Sequence, residues 1–270
     1  MKTGLTIKAL ALSVLCATTG LSWTSGYENY AGDNLCGCWG LQVKAGVAPV
    51  IWTDRCCSVI SDCAAVLTPG LLSGGKVGKF DTYFHNVPWT VGLELDYNWT
   101  ECIGLYGDFQ YRQARGRTAC TPITLANGGI PIVSFDHYKS FSFYFGGDYH
   151  FDDLFGLEFC EGLSFFVGIK VGFTVYGKLN ACLIPPSAVG PTVRACVNSR
   201  TVFSGGGRFG ADYCFCENLS IVFTAEILGQ SGHQLGCLSF PVVSGIPGFR
   251  FGSVGTEVVF PMTLGLRYAF

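Results

Sequence analysis

Three sets of residues in this chain could do chemistry. His85, His137 and His233 lie near Asp81, Asp136, Ser231 and Ser239, the residue types of a hydrolytic proton relay. Such a relay needs contact in space, which neighbourhood in sequence does not supply. Decoration of loops is the expected role, and no enzyme is predicted. Cys36-x-Cys38 and Cys214-x-Cys216 are close pairs of thiols. Their one-residue spacing departs from the two-residue spacing common in zinc sites, and no histidine flanks either pair. No metal and no cofactor is expected. The third set is ionic: Lys44, Glu94, Asp96, Asp108, Arg112, Asp148, Lys170, Arg208, Asp212, Glu226, Glu257 and Arg267. Each falls at the same phase of a two-residue alternation, so all of them share one kind of surface.

Eight alternating stretches must position that ionic set, and we read them as strands: 39–52, 89–98, 102–113, 138–151, 164–178, 201–214, 219–230 and 256–270. A period of two marks an extended chain with one apolar face. In the last stretch Phe260, Met262, Leu264, Leu266, Tyr268 and Phe270 alternate with Pro261, Thr263, Gly265, Arg267 and Ala269. The charged residues take the polar face throughout, and the middle of each apolar face carries none. Glycines such as Gly46, Gly92, Gly168, Gly172, Gly206 and Gly210 share the charged face, which fits a crowded interior. Gly205-Gly-Gly-Arg-Phe-Gly210 resembles a phosphate loop only in glycine content. It lacks the Lys-Ser/Thr pair and the following helix.

Composition says which face meets what. The chain has 270 residues, mean hydropathy +0.37 and 13% charged residues, against about 25% in typical soluble domains. Past the N-terminal run Ala9–Ala17, no apolar stretch reaches the roughly 18 residues of a membrane helix. A greasy chain without such a helix fits a transmembrane barrel, whose apolar residues are diluted by alternation. Lipid offers no hydrogen bonds, so the sheet must close and the last strand must pair with the first. The expected fold is therefore all-β: a transmembrane antiparallel up-and-down barrel of eight strands, or of ten if 78–85 adds a hairpin arm. The ionic face then looks inward. Within so narrow a cylinder the charges form either a self-satisfied plug, the favoured reading, or a narrow solute path. Net charge is −2, which implies no nucleic-acid partner.

Lys2 and Lys8 ahead of the apolar run predict a signal peptide over 1–20, with cleavage as late as 26. A short polar lead-in over 21–38 follows, then the barrel over 39–270. Short and long links alternate, which puts short turns in the periplasm and long loops outside. By that placement Cys36, Cys38, Cys102, Cys160, Cys214 and Cys216 fall at the periplasmic end, and Cys56, Cys57, Cys63, Cys120, Cys182, Cys196 and Cys237 in outer loops. None is expected within a strand's middle. An oxidising compartment favours disulfides among them. Seven on one side leave an odd thiol, which pairs with a second chain or stays free. Aromatic residues near strand ends, including Trp39, Trp89, Trp99, Tyr111, Tyr149 and Tyr213, suit the two membrane interfaces.

The aromatic end of the last strand, with Leu264, Leu266, Tyr268 and Phe270, resembles the assembly signal of bacterial outer-membrane barrels. The architecture over 39–270 looks like the OmpA-type and OmpW-type eight-stranded barrels. The cysteine content is similar to that of chlamydia-type envelope proteins, in which disulfide cross-links stiffen the membrane. These resemblances imply export through the periplasm to the bacterial outer membrane. They imply outer-membrane lipid and the barrel assembly machinery as partners, with other envelope proteins joined through intermolecular disulfides. The expected role is structural and surface-exposed, with disulfide-tied loops. The alternatives are a porin-like channel and an adhesin contacting a host through its long loops.

Overall fold

Regular alternation of apolar with small or charged residues yields eight long strands. They are β1 (Trp39–Val47), β2 (Trp89–Asn98), β3 (Ile103–Ala114), β4 (Tyr138–Phe151), β5 (Leu163–Tyr176), β6 (Arg200–Cys216), β7 (Leu219–Gln230) and β8 (Met262–Ala269). The structure is a computed structural model. It describes residues 37–53, 59–61, 83–85, 87–100, 102–120, 129–130, 132–151, 153–154, 157–158, 162–184, 193–216, 218–231, 238–240, 249–251 and 256–270. All of them belong to the unit Gly32–Phe270. The predicted signal peptide and all but the last two residues of the lead-in lie outside the described residues.

Each long strand pairs antiparallel with its sequence neighbour, and β8 pairs with β1 from Gly40↔Ala269 to Val47↔Met262. The eight long strands thus close into an up-and-down barrel, as their pattern predicts. The hairpin turns are built locally. At the β2–β3 turn the Thr100 hydroxyl accepts from the backbone N–H of Ile103 at 3.0 Å, a short polar side chain closing its own turn. Gly162, with φ 83°, leads into β5 in a conformation that favours glycine.

Two expected strands run shorter than predicted. The stretch 39–52 breaks at Ala48-Pro49, and Val50–Thr53 forms a separate short strand. The stretch 256–270 breaks at Phe260-Pro261 between Glu257–Val259 and β8. Proline has no N–H to give a ladder. The two interruptions meet, with Phe260 N–H donating to Pro49 O at 2.8 Å. The barrel has eight strands rather than ten; of the 78–85 arm, all but 83–85 lies outside the described residues.

The long links carry strands that alternation did not reveal. Thr118–Cys120, Ile132–Phe135, Leu179–Ile184 and Val193–Val197 form a four-stranded sheet. Its order follows that of β3, β4, β5 and β6 around the wall. Val59–Ser61, Leu238–Phe240 and Phe249–Phe251 form another sheet, of three strands. Cys120, Cys182 and Cys196, expected in the outer loops, sit on the short strands that these links carry. These strands are too short for a period of two to stand out.

The far-end sheet, at the end away from the β2–β3 turn, has a conventional core. Val133, Phe135, Leu179 and Ala181 are buried with Tyr83, Phe84 and Tyr138. The Phe84 and Tyr138 ring centroids lie 5.1 Å apart. The barrel is the reverse. Lys44 and Lys170 are each 1% exposed, while Ile169 is 72% and Phe145 70% exposed.

Candidate functional site

The candidate site is the lumen, where strand alternation delivers all twelve predicted charges. Every one is buried, and they fall into three tiers. The middle tier is a continuous chain of ion pairs. Arg208 bridges Asp148 and Glu94, the latter at 2.8 Å. Lys44 reaches Glu94 at 2.7 Å and Asp108 at 2.9 Å. Lys170 holds the other Asp108 oxygen at 2.9 Å and Glu226 at 2.7 Å. Toward the near end, Arg267 pairs with Asp96 at 2.6 Å and Asp212 at 3.1 Å. Toward the far end, Arg112 meets Glu257 at 3.3 Å.

Neutral groups complete the shell, and these were not assigned to the network from sequence. Gln110 donates to Asp108 at 2.8 Å and to Glu226 at 3.1 Å. Tyr138 donates to Glu257 at 3.0 Å, and Tyr176 donates to Gln230 and Glu257. The Arg208 guanidinium lies 3.3 Å over the Tyr106 ring, and Lys170 4.2 Å over Tyr144. Their signal was available: each sits at the polar phase of its strand. Few lumen atoms are unmatched; Asp108 Oδ1 makes its ion pair to Lys44 without a hydrogen bond.

Glycines let this packing close. A Cβ at Gly168 would run into the Asp148 carboxylate, and one at Gly210 into the Phe166 ring. Two recesses lie among these side chains. One recess of about 20 Å³ lies among Glu94, Asp96, Asp148, His150, Arg208 and Arg267. A second, about 10 Å³, lies among Gln110, Arg112, Tyr144 and Gln230. Roughly 10–15 Å³ on this measure holds one water. The arrangement binds its own charges together, and these two recesses each have room for about one water.

The wall outside is apolar. Leu93, Phe143, Phe145, Val171, Phe203 and Leu264 are among its exposed residues. From Phe141 to Phe151 the strand runs about 33 Å, or about 25 Å along the axis for a tilt near 40°. The predicted assembly residues lie on this face. Leu264, Leu266 and Phe270 are exposed, and Tyr268 stacks with Phe270 at 6.5 Å between centroids.

The remaining candidates are scattered. His137 contacts Asp136 at 3.0 Å, and His85 contacts Arg117 at 3.2 Å. Backbone and ring donors of His137 hold the Asp136 carboxyl below its ordinary range. Ser231 donates to Phe203 O at 3.2 Å. Asp81 and His233 lie outside the described residues, as does the Ser239 side chain. His150 lies beside the near-end recess.

Among the cysteines, Cys102, Cys120 and Cys182 are free thiols. Cys38 precedes β1, Cys214 lies in β6, and Cys216 takes part in the β6 ladder. Cys182 pairs with Arg194, and Cys196 with Asn180, so Cys182 and Cys196 are diagonal neighbours on one face. Such diagonals are about 7–8 Å apart, longer than most disulfides span. Cys36, Cys56, Cys57, Cys63, Cys160 and Cys237 lie outside the described residues. Among the described residues no group of three or more histidine, cysteine or acidic side chains is arranged to hold a metal.

No protein-family model and no curated protein matches this sequence. Solved structures with a similar course include OprG, an outer membrane protein from Pseudomonas aeruginosa. It is 13% identical with TM-score 0.47, and the match covers 89% of this chain and 99% of that one. Neisserial surface protein A is 12% identical with TM-score 0.37, covering 86% and 97%. Ail, the attachment invasion locus protein of Yersinia pestis, is 14% identical with TM-score 0.37, covering 87% and 100%. None of the three is a chlamydial envelope protein, so the likeness in cysteine content gains nothing from them.

Proposed function

We propose that this chain is an integral barrel of the bacterial outer membrane with a structural, surface-displaying role, and that its lumen is a closed ionic plug. The supporting observation is the inverted burial of the wall. A soluble sheet protein would place its charges outward and its large apolar residues inward. Here Lys170 is 1% exposed beside Ile169 at 72%. Burying paired charges offers little net stability over an apolar core, so this arrangement makes sense where the outer surface meets lipid. The apolar band of about 25 Å matches the height expected of outer-membrane barrels. Export through the periplasm, and insertion by the barrel assembly machinery, belong to the same proposal.

The plug reading is favoured over the porin-like channel by the size of the two recesses. Recording from the purified protein in planar bilayers tests it. Little or no steady conductance is expected; sizeable and lasting open channels would overturn the plug.

The far-end sheet supports surface display. Thr118, Cys120, Asn180, Ile184 and Arg194 are exposed there. Disulfides to other envelope proteins are proposed for this face, where the free thiols Cys120 and Cys182 share one side. Comparing the migration of the membrane-extracted protein with and without reductant tests that. A ladder that collapses on reduction is expected, and unchanged migration refutes cross-linking.

A further inference from the structure

Besides Asp108 Oδ1, five buried side-chain atoms of the lumen have no hydrogen-bond partner among the described residues. They are Gln42 Nε2, Arg112 Nη1, Asp212 Oδ1, Thr224 Oγ1 and Thr263 Oγ1. A buried polar atom left alone is costly, so each calls for a partner. Gln42 and Asp212 border the near-end recess, and Arg112 borders the far-end one. Thr224 and Thr263 are 1% and 3% exposed and border neither.

Their positions along the chain put the two threonines between the recesses. On β7, Val222 borders the near-end recess and Leu228 the far-end one, with Thr224 between them. Along 261–267, Arg267 borders the near-end recess and Pro261 the far-end one, with Thr263 between them. Thr224 and Thr263 stand opposite each other in the ladder, which brings their Cβ atoms to about 5 Å. Two residues along a strand cover about 6.6 Å. A bridging water spans about 5.6 Å, two hydrogen bonds of about 2.8 Å. The steps from Val222 to Thr224, across to Thr263, and on to Pro261 are each close to that span.

Hydroxyls on β4, β5 and β6 are otherwise engaged. Ser142 bonds Thr174 at 2.9 Å, and Tyr144 bonds Ser204 at 2.9 Å. Beyond the far-end recess, hydrogen bonds continue from Gln230 through Tyr176 and Glu257 to Tyr138. At the other end the partly exposed His150 borders the near-end recess. A potassium ion would have to shed its water to follow this line. A proton needs only the hydrogen bonds.

We propose that Thr224 and Thr263 join the two recesses into a file of single waters that passes protons along the lumen and no other ion. Each hydroxyl accepts a hydrogen bond from one side and donates its own proton to the other. Every proton that enters is matched by one that leaves, and nothing is oxidised or reduced. The inference rests on the plug reading above.

Full-length protein is inserted into phosphatidylcholine vesicles loaded with a pH-reporting dye and potassium salt, and the vesicles are floated before use. Valinomycin balances charge while the outer solution is acidified. Faster acidification inside than in protein-free vesicles is expected. Thr224→Val combined with Thr263→Val keeps the side-chain shapes and removes both hydroxyls. It should slow proton entry by at least about fivefold, the effect of one ordinary hydrogen bond lost from the path. Either single variant should do the same if the combined one does not fold. Thr90→Val is the control and should leave the rate unchanged. Its hydroxyl donates to Tyr111 O at 3.1 Å and borders neither recess. Without valinomycin, potassium should stay inside. Retained potassium with no proton entry above the protein-free rate, or with entry indifferent to the two threonines, overturns this inference alone. Potassium release without valinomycin overturns the plug reading and this inference with it.

Discussion

The wall of the barrel and the sheet at its far end are made by the same stretches of chain, yet they solve opposite problems. Along β4 the buried positions are Tyr138, Ser140, Ser142, Tyr144 and Asp148, and the exposed ones Lys139, Phe141, Phe143, Phe145 and Tyr149. In Ile132–Phe135, just before β4, Val133 and Phe135 are buried and Asp136 is exposed. In β5 the buried positions include Lys170 and Thr174; beyond it they are Leu179 and Ala181. Between the two zones the alternation slips by one residue, at 136–137 and 177–178, where the ladder is interrupted. A one-residue slip exchanges the two faces of a strand. Inside and outside thus trade chemistry at one level, as expected where the surrounding medium changes from lipid to water.

The largest effect should come from the lumen. Lys170→Met takes from Glu226 its 2.7 Å cation and leaves Asp108 only Lys44, and breaking such a buried pair costs about 3–5 kcal/mol. A urea titration of the protein folded in vesicles measures it. Phe135→Ala in the far-end core should cost about 3 kcal/mol. That loss should stay local, seen as faster hydrogen exchange in Leu179–Ile184 with the barrel's unfolding midpoint nearly unmoved. Ile169→Arg, one residue from Lys170, puts a cation on the wall and should cost about 2–4 kcal/mol if lipid lies there. Ile184→Arg, on the exposed side of the far-end sheet, should change stability by less than about 0.5 kcal/mol. Equal costs for these two arginines would erase the distinction between the zones. The smallest effect concerns Asp136. Its carboxyl is depressed in the folded state, so its contribution is present above the ordinary carboxylate range and fades as pH falls through the depressed value. His137→Ala should raise that carboxyl's titration midpoint, as read by NMR.

Much of the barrel was legible because an apolar wall and a crowded lumen leave alternation no latitude. The bounds of 89–98, 138–151 and 219–230 coincide with β2, β4 and β7. The first and last stretches were read too long because Pro49 and Pro261 interrupt hydrogen bonding without disturbing the apolar pattern around them. The far-end sheet was illegible for a different reason. Its strands are three to six residues long, and the slip at 136–137 and 177–178 breaks the period on which recognition depends. The ionic set was visible as a shared phase, but its pairings were not. Arg267 meets Asp96 across 171 positions of sequence, and Lys170 meets Glu226 across 56. Only closure of the cylinder brings such partners together.

The most direct measurement is photolabelling of the vesicle-inserted protein by a carbene probe confined to the hydrocarbon phase, with adducts located by mass spectrometry. Adducts are expected at Phe143, Phe145, Ile169 and Leu264, with none at Asp108, Lys170, Val133 or Leu179. Labelling of Asp108 and Lys170 in preference to Phe143 and Leu264 would contradict the account.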